Sequence, residues 1–223
     1  MGKRGPKPKN IVNTRWSANL AYAVGLLTTD GCLYKDGRRI AFVSKDLEQV
    51  SNFKQSLGLD FKIGKVNSNQ ADKKAYRIQI NNVCFYSFLL SIGLTPVKSK
   101  TISSVKLPKK YFFDFLRGCY DGDGCFYSYW DSRWKSSHMF YLDFTSASIR
   151  HLYWLQSLIF EFLGIWGYLK LSKKGVCSLR YAKKDSVKII KRMYKDKCIC
   201  LSRKFKKIEK ALLVEKKQQM HYK

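Results

Sequence analysis

The chain has 223 residues, of which 45% are apolar, enough to build a core in one large domain or two small ones. Lys and Arg number 43 against 16 Asp and Glu, a formal charge of +27 that favours a polyanionic partner, above all nucleic acid. No apolar run reaches the roughly 18 residues of a membrane span, and no basic amphipathic helix stands apart to bind a membrane surface.

The chain opens with a basic arm, residues 1–16. Its first dozen residues, MGKRGPKPKNIV, carry Gly, Pro and Lys without periodicity and predict an extended or disordered segment. The composition from Lys3 to Lys9 resembles that of arms that enter the DNA minor groove. A solubilising tail is the open alternative.

Residues 17–107 and 108–205 repeat one pattern, which predicts an α+β fold of two tandem αββαββα half-domains. Each copy opens with an apolar helix that ends in Asp-Gly. In the first copy a strand, a helix, two strands and a helix follow at 39–44, 47–58, 61–67, 75–81 and 83–92. In the second copy the same elements are expected at 141–146, 149–164, 166–172, 176–182 and 186–194. A further basic helix is expected near 203–219, and residues 206–223 form the C-terminal tail outside the repeat.

The two Asp-Gly helices carry an interior glycine each, Gly25 and Gly118. Such a glycine costs about 1 kcal/mol relative to alanine, so the small faces suggest that the two helices touch. Contact would bring Asp30 and Asp123 together at helix C-termini, where the dipoles and the mutual repulsion disfavour them. A divalent cation such as Mg²⁺ would relieve this and could serve phosphodiester chemistry. For either copy alone, an ordinary turn after a helix is the alternative.

The segments AVGLLTTDG (23–31) and LRGCYDGDG (116–124) resemble the two LAGLIDADG motifs of single-chain homing endonucleases. The resemblance implies a monomer with pseudo-two-fold symmetry, motif helices at its centre and antiparallel sheets that form a DNA-binding saddle. It also implies that Asp30 and Asp123 bind the catalytic metal ions, with help from the carbonyls of Thr29 and Gly122. Mg²⁺ is the expected ion, Mn²⁺ a substitute, and Ca²⁺ an ion that supports binding without cleavage. Asp121, whose counterpart is Thr28, is interpreted as a helix-end residue that supports the acids.

The same family keeps basic or polar residues near each scissile phosphate. Lys45 follows the second strand of the first copy and is a match, whereas Ala147 takes its place in the second copy. Family members have a second basic residue of this kind, and Lys98 and Lys100 in the first copy, and Arg203 and Lys204 in the second, occupy its approximate position. Of these we assign Lys98 and Arg203 to catalysis, and a solvated or phosphate-contacting role is the alternative for each.

Sequence reading is expected on the outward faces of the strands, where side chains alternate with the apolar set. Arg77, Gln79 and Asn81 have suitable groups, because Arg suits guanine while Gln and Asn suit adenine in the major groove. The same parity adds Arg39, Tyr141, Asp143, Thr145, Tyr168, Lys170, Ser172, Ser178 and Arg180. An ordinary solvated face is the alternative, which the excess of lysine disfavours.

The expected function is that of a mobile-intron homing endonuclease that makes a double-strand break in a non-palindromic target of roughly 20 bp. Double-stranded DNA is the expected partner, with intron RNA as a further candidate. Seven scattered cysteines, read as free thiols, favour an intracellular site: bacterial cytoplasm or organelle matrix. The open alternative is a non-cleaving relative that acts as a splicing maturase or regulator, which the presence of both acids disfavours. An intein is disfavoured because the chain begins with Met and has no His-Asn end.

Overall fold

The computed structural model describes residues 9–67, 74–134, 137–171 and 175–221, and it consists of two similar halves. The first half contains α1 (Ala18–Thr29), β1 (Gly31–Leu33), β2 (Arg39–Ser44), α2 (Leu47–Ser56), β3 (Gly64–Asn67), β4 (Lys74–Asn81) and α3 (Val83–Ser91). The second half contains α4 (Phe112–Asp123), β5 (Cys125–Trp130), β6 (His138–Ser146), α5 (Ile149–Leu163), β7 (Tyr168–Lys170), β8 (Cys177–Ala182), α6 (Lys183–Met193) and α7 (Ser202–His221). The predicted α+β class and the repeated αββαββα order are confirmed.

Each half forms one antiparallel four-stranded sheet with the same topology. The strand orders are β1-β2-β4-β3 and β5-β6-β8-β7. In β2, Ile40 and Phe42 are buried while Arg39 and Val43 are exposed, so the sheet packs one face on helices and leaves the other outward. The outward faces are therefore the ones available to a large partner.

The helices α1 and α4 pack against each other at the centre, as the glycine pattern predicts. A Cβ added to Gly25 would lie 2.2 Å from the carbonyl oxygen of Phe115, and one added to Gly118 would lie 2.2 Å from that of Tyr22. Only glycine permits this approach of two backbones. The contact fixes how the two helix C-termini lie relative to each other.

Several element boundaries differ from the sequence predictions. The third strand of the first half begins at Gly64 rather than at 61, and its counterpart β7 is limited to three residues. The helix α6 begins at Lys183, three residues before the predicted start at Ser186. Ser186 lies within the first turns of α6, where its buried hydroxyl donates to the Tyr181 carbonyl at 2.8 Å.

Both chain ends pack on the body of the protein where the structure describes them. Within the arm predicted over residues 1–16, Val12 is buried and the Trp16 ring lies 5.6 Å from that of Phe88. Residues 1–8, with most of the Lys3–Lys9 segment, fall outside the described part. The helix α7 packs on β5 and β6 and buries Ile208 and Ala211. Across the described ranges, no helix combines the length and apolarity needed to cross a membrane.

Candidate active site at the ends of the central helices

The two motif acids lie at the adjoining C-termini of α1 and α4. Asp30 is the C-cap of α1, and Asp123 is the last residue of α4. A Cβ on Gly122 would lie 2.0 Å from Thr29 Oγ1 and 3.0 Å from Asp30 Oδ2. The structure thus brings the four predicted metal-site residues into one place.

The carboxylates are held in an unfavourable environment. Burial, and then the negative charge of Asp123, raise the pKa of Asp30 to about 6. Burial also raises the pKa of Asp123, against the opposing effect of Lys204 and Lys98. Because both acids gain from added positive charge, the site favours a cation.

A lysine accompanies each acid, and Lys98 is buried while Lys204 is half-buried. Lys98 Nζ donates to the carbonyl of Gly31, the residue after Asp30. Lys204 Nζ donates, at 2.7–2.8 Å, to three carbonyls at the end of α4: Tyr120, Gly122 and Gly124. Gly124 follows Asp123 as Gly31 follows Asp30, so the two lysines are counterparts. Burial lowers the pKa of Lys204 to about 8, and it also lowers the pKa of Lys98.

Arg203, which the sequence analysis assigned to catalysis, does not face the acids. Arg203 Nε donates to Asp46 Oδ2 at 2.6 Å, on the first half-domain, whereas the adjacent Lys204 faces the acids. Neighbouring residues of a helix point about 100° apart, and the sequence did not reveal which of the two turns inward. Lys45, the other predicted basic residue, is exposed just after β2.

Gln49 completes the site and was missed by the sequence analysis. Its Nε2 donates to Asp30 Oδ2 at 3.1 Å and to the Asp121 carbonyl at 3.2 Å, so one buried amide joins both halves. Ser44 Oγ donates to its Oε1 at 2.6 Å and fixes the amide orientation. Its only sequence signal is a polar residue on the buried side of α2.

Asp121 is a structural acid. Its Oδ2 accepts from the Tyr22 hydroxyl and from the Leu201 N–H, both at 2.7 Å, and the side chain is fully buried. Burial raises the pKa of Asp121 to about 6. It therefore ties α1, α4 and the segment before α7 together.

The donor set at the helix ends fits a hard divalent cation. No group of three His, Cys, Asp or Glu in the described ranges is close enough to hold an ion by itself. Mg²⁺ is commonly held by one or two carboxylates, with water and substrate phosphates as the other ligands. Asp30 and Asp123 match that pattern, while the predicted ligand carbonyl of Gly122 accepts from Lys204.

The outward face of the first sheet carries the predicted amide and guanidinium groups. Arg39 pairs with Asn81 across β2 and β4, and Gln79 and Arg77 follow in the same direction. Gln79 Nε2 donates to Asn81 Oδ1 at 3.1 Å, and the Arg39 guanidinium is held by Asp36 at 2.6 Å. These polar groups line one continuous surface.

The outward face of the second sheet is built differently. Asp143, Arg180 and Tyr168 form one row across β6, β8 and β7. Arg180 donates to Asp143 through Nε at 3.0 Å and Nη2 at 2.8 Å, and it lies 5.1 Å above the Tyr127 ring and 5.4 Å above the Tyr141 ring. Arg180, which strand parity predicts to face outward, therefore has its plane and one edge fixed by these contacts.

The remaining predicted DNA contacts are mixed. Thr145 donates its hydroxyl to the carbonyl of Asp123, so it serves the end of α4 instead of projecting freely. Ser178 pairs with Lys170 on the outward row next to Arg180. Ser172 lies outside the described residues.

Comparisons with known proteins agree on the fold. No protein-family model matches the chain, and no curated protein does. The full-length DUF199/WhiA structure from Thermatoga maritima gives a TM-score of 0.59 at 15% identity, covering 94% of this chain and 64% of that one. The I-LtrWI LAGLIDADG homing endonuclease bound to target DNA gives 0.60 at 16% identity, covering 91% of each chain. I-DmoI in complex with DNA and Mn gives 0.52 at 17% identity, covering 81% and 98%.

The chain has the two-motif LAGLIDADG fold, as the resemblance of its two segments implies. It spans slightly less than two thirds of the length of the full-length WhiA chain that it matches. At 15–17% identity, these matches establish architecture.

Proposed function

We propose that the protein is a site-specific DNA endonuclease that makes a double-strand break with the help of divalent metal ions. The observation that carries the proposal is the paired acid-and-lysine arrangement at the ends of α1 and α4. Two carboxylates and two lysines are related by the repeat, which suits two phosphodiesters, one on each strand. The DNA and metal in the I-LtrWI and I-DmoI complexes support the same reading.

Asp30 and Asp123 are the ligands we assign to Mg²⁺, which when bound would activate water and stabilise charge on the phosphodiester. The raised pKa of Asp30 and of Asp123 makes a cation favourable at this point. Gln49 orients Asp30 through its amide. Lys98 and Lys204 keep positive charge beside the acids, where negative charge develops on the reacting phosphate.

The outward sheet faces are the proposed DNA-reading surfaces. Because the two faces carry different side chains at equivalent positions, the target should not be a true palindrome. The formal charge of +27 should make binding weaken steeply with salt through counterion release.

The decisive experiment is cleavage of a randomised DNA library by the wild type, Asp30→Asn and Asp123→Asn, each with Mg²⁺ and with Ca²⁺. We expect wild-type double-strand cuts at one long motif with Mg²⁺ only. Each variant should lose at least about 100-fold in rate or be reduced to nicking, as when a group that stabilises the transition state is removed. Asp60→Asn is the matched control, because Asp60 is fully exposed on the surface and its ion pair among the described residues is with the half-exposed Lys54 at 3.8 Å.

Tight, salt-sensitive binding without cleavage in any metal would contradict the proposal. It would instead favour a non-cleaving splicing factor or regulator on the same fold, and RNA would be the next ligand to test.

A further inference from the structure

A cavity of about 90 Å³ beside Asp123 is lined by residues of both half-domains. Its wall combines apolar side chains, such as those of Phe144 and Leu155, with several polar groups. The polar groups include those of Thr29, Asp123, Thr145, Ser146 and His151. Polar cavities of this size hold ordered water, whereas dry cavities are lined by apolar groups. The chemistry of the wall therefore points to water as the occupant.

His151 has one nitrogen committed and one left over. Its Nδ1 lies 2.9 Å from the Ser103 carbonyl, which can only accept, so Nδ1 carries the proton and Nε2 is an acceptor. The side chain is 3% exposed, and its Nε2 has no hydrogen-bond partner among the described residues. A buried acceptor left unsatisfied costs about 1–3 kcal/mol. Since His151 lines the cavity, a hydrogen-bond donor bound there would stabilise Nε2.

His151 is the counterpart of Gln49. Both are the third residue of the helix that follows the second strand. The turns before them are built alike, because Ser44 Oγ accepts from the Asp46 N–H at 3.1 Å and Ser146 Oγ accepts from the Ser148 N–H at 3.0 Å. In the first half, Gln49 contacts the motif acid directly.

We propose that a water molecule in this cavity bridges His151 Nε2 and the Asp123 carboxylate, and so replaces the direct contact that Gln49 makes with Asp30. Water fits both ends, because it can donate one hydrogen to Nε2 and the other to a carboxylate oxygen. The Ser146 hydroxyl in the same wall can donate to the water oxygen. His151 is thereby a positioning residue for Asp123, a role that rests on the proposed endonuclease function, whereas the bound water does not.

Two substitutions separate the two nitrogens of His151. His151→Gln places an amide oxygen where Nε2 lies and keeps an acceptor for the water. His151→Asn places an amide N–H near Nδ1, keeps the donor to Ser103 and removes the acceptor. Equal thermal stability of the two variants would show that any difference in cleavage is not a folding defect.

Cleavage is measured on each strand separately, with end-labelled DNA in single turnover. The strand assigned to Asp123 is the one that Asp123→Asn slows more. His151→Asn should slow that strand on the order of tenfold relative to the other, as for loss of one positioned hydrogen bond. His151→Gln should stay within about threefold of the wild type. Equal slowing of both strands, or equal effects of the two variants, would overturn the positioning role.

The water itself is tested by a crystal structure of the wild type at a resolution that shows solvent. The expected result is an ordered water about 2.7–3.2 Å from both His151 Nε2 and an Asp123 carboxylate oxygen. A dry cavity, or a water that touches only one of them, would overturn the bridge. If the wild type cleaves no DNA, the endonuclease proposal fails, and this measurement still decides the water site.

Discussion

The two half-domains share one template but differ in the side chains that surround the acids. In the first half, Gln49 reaches Asp30 directly at 3.1 Å. In the second half, His151 and Asp123 line one cavity. The lysines beside the acids differ as well, since Lys98 donates to a single carbonyl and Lys204 to three.

The shared features are those that the packing requires. Both halves repeat the Asp-Gly helix end, the glycine contact and the serine turn. These features recur because both acids must lie where α1 and α4 end side by side. The sheet faces differ most: Ala41 pairs with Gln79 where Asp143 pairs with Arg180. The two halves are thus equivalent in architecture and unequal in chemistry, so the two DNA strands should be neither read nor cut alike.

The glycine contact between α1 and α4 supports both halves, so its disruption should reduce stability and the cleavage of both strands together. Gly118→Ala should lower the free energy of unfolding by about 3 kcal/mol or more, the upper end for overpacking, because the obstructing atoms are backbone. Its Cβ would lie 2.2 Å from the Tyr22 carbonyl oxygen. Urea denaturation measures the loss, and cleavage of both strands should fall in parallel. Gly64→Ala is the control, since the nearest atom to its Cβ is the Arg77 carbonyl oxygen at 3.6 Å. Equal stability of the two variants would refute the close approach.

The burial of Asp30 and its repulsion by Asp123 should be visible in stability. Burial, and then the charge of Asp123, raise the folded-state pKa of Asp30 to about 6 from its ordinary 3.8, so the folded protein binds the proton more tightly than the unfolded chain. This penalty is full above pH 6 and vanishes as the pH falls to about 4. Asp30→Asn should therefore stabilise the fold by about 1–2 kcal/mol at pH 7, less than the full shift implies because the site is partly solvated, and by little at pH 4.

Asp123→Asn sharpens this test. It should stabilise less than Asp30→Asn, because Lys204 and Lys98 both oppose the rise in the pKa of Asp123. Since each substitution relieves the same repulsion, the double variant should gain less than the sum. Mg²⁺ should raise the melting temperature of the wild type and lose most of that effect in either variant. Strict additivity would mean that the two carboxylates do not interact.

The two sheets should read different bases at equivalent positions. The free edge of Arg180 is suited to guanine, and Gln79, its counterpart in register, to adenine. Arg180→Gln should remove about 1–3 kcal/mol of discrimination for guanine at one base pair. Asp143→Asn should remove about 1 kcal/mol, as expected for loss of one orienting hydrogen bond.

Binding to a panel of single-base variants of the target measures these effects. Lys170→Gln, on the neighbouring row, is the matched control. It should weaken binding to all target sequences alike and lower the salt dependence of binding. If Arg180→Gln weakens binding to all targets equally, Arg180 contacts a phosphate instead of a base, and the two sheets do not differ in this respect.

The frame of the site could be predicted from the sequence, because it depends on local patterns. An interior glycine in each apolar helix, with an Asp-Gly end, can be recognised in the sequence, and it predicts that the two helices touch and that the two acids lie close together. Strand alternation likewise placed Arg77, Gln79 and Arg180 on outward faces. These features follow from chain periodicity and need no knowledge of how distant segments meet.

The details could not be predicted, because they depend on contacts between distant residues. Gln49 lies 72 positions from the Asp121 carbonyl that it binds. Arg203 and Lys204 are neighbours with similar chemistry, and only the placement of α7 against both halves distinguishes them. The ion pair between Asp143 and Arg180 required the strand register, which alternation alone does not provide.

The contact between Gly25 and Gly118 also sets a distance within the site. It fixes how far apart the backbones of Asp30 and Asp123 lie at the ends of the two helices. On the proposed mechanism, that separation fixes the offset between the two cuts and hence the length of the single-stranded overhang. Changes to the sheet faces could then alter which sequence is cut while leaving the overhang the same length.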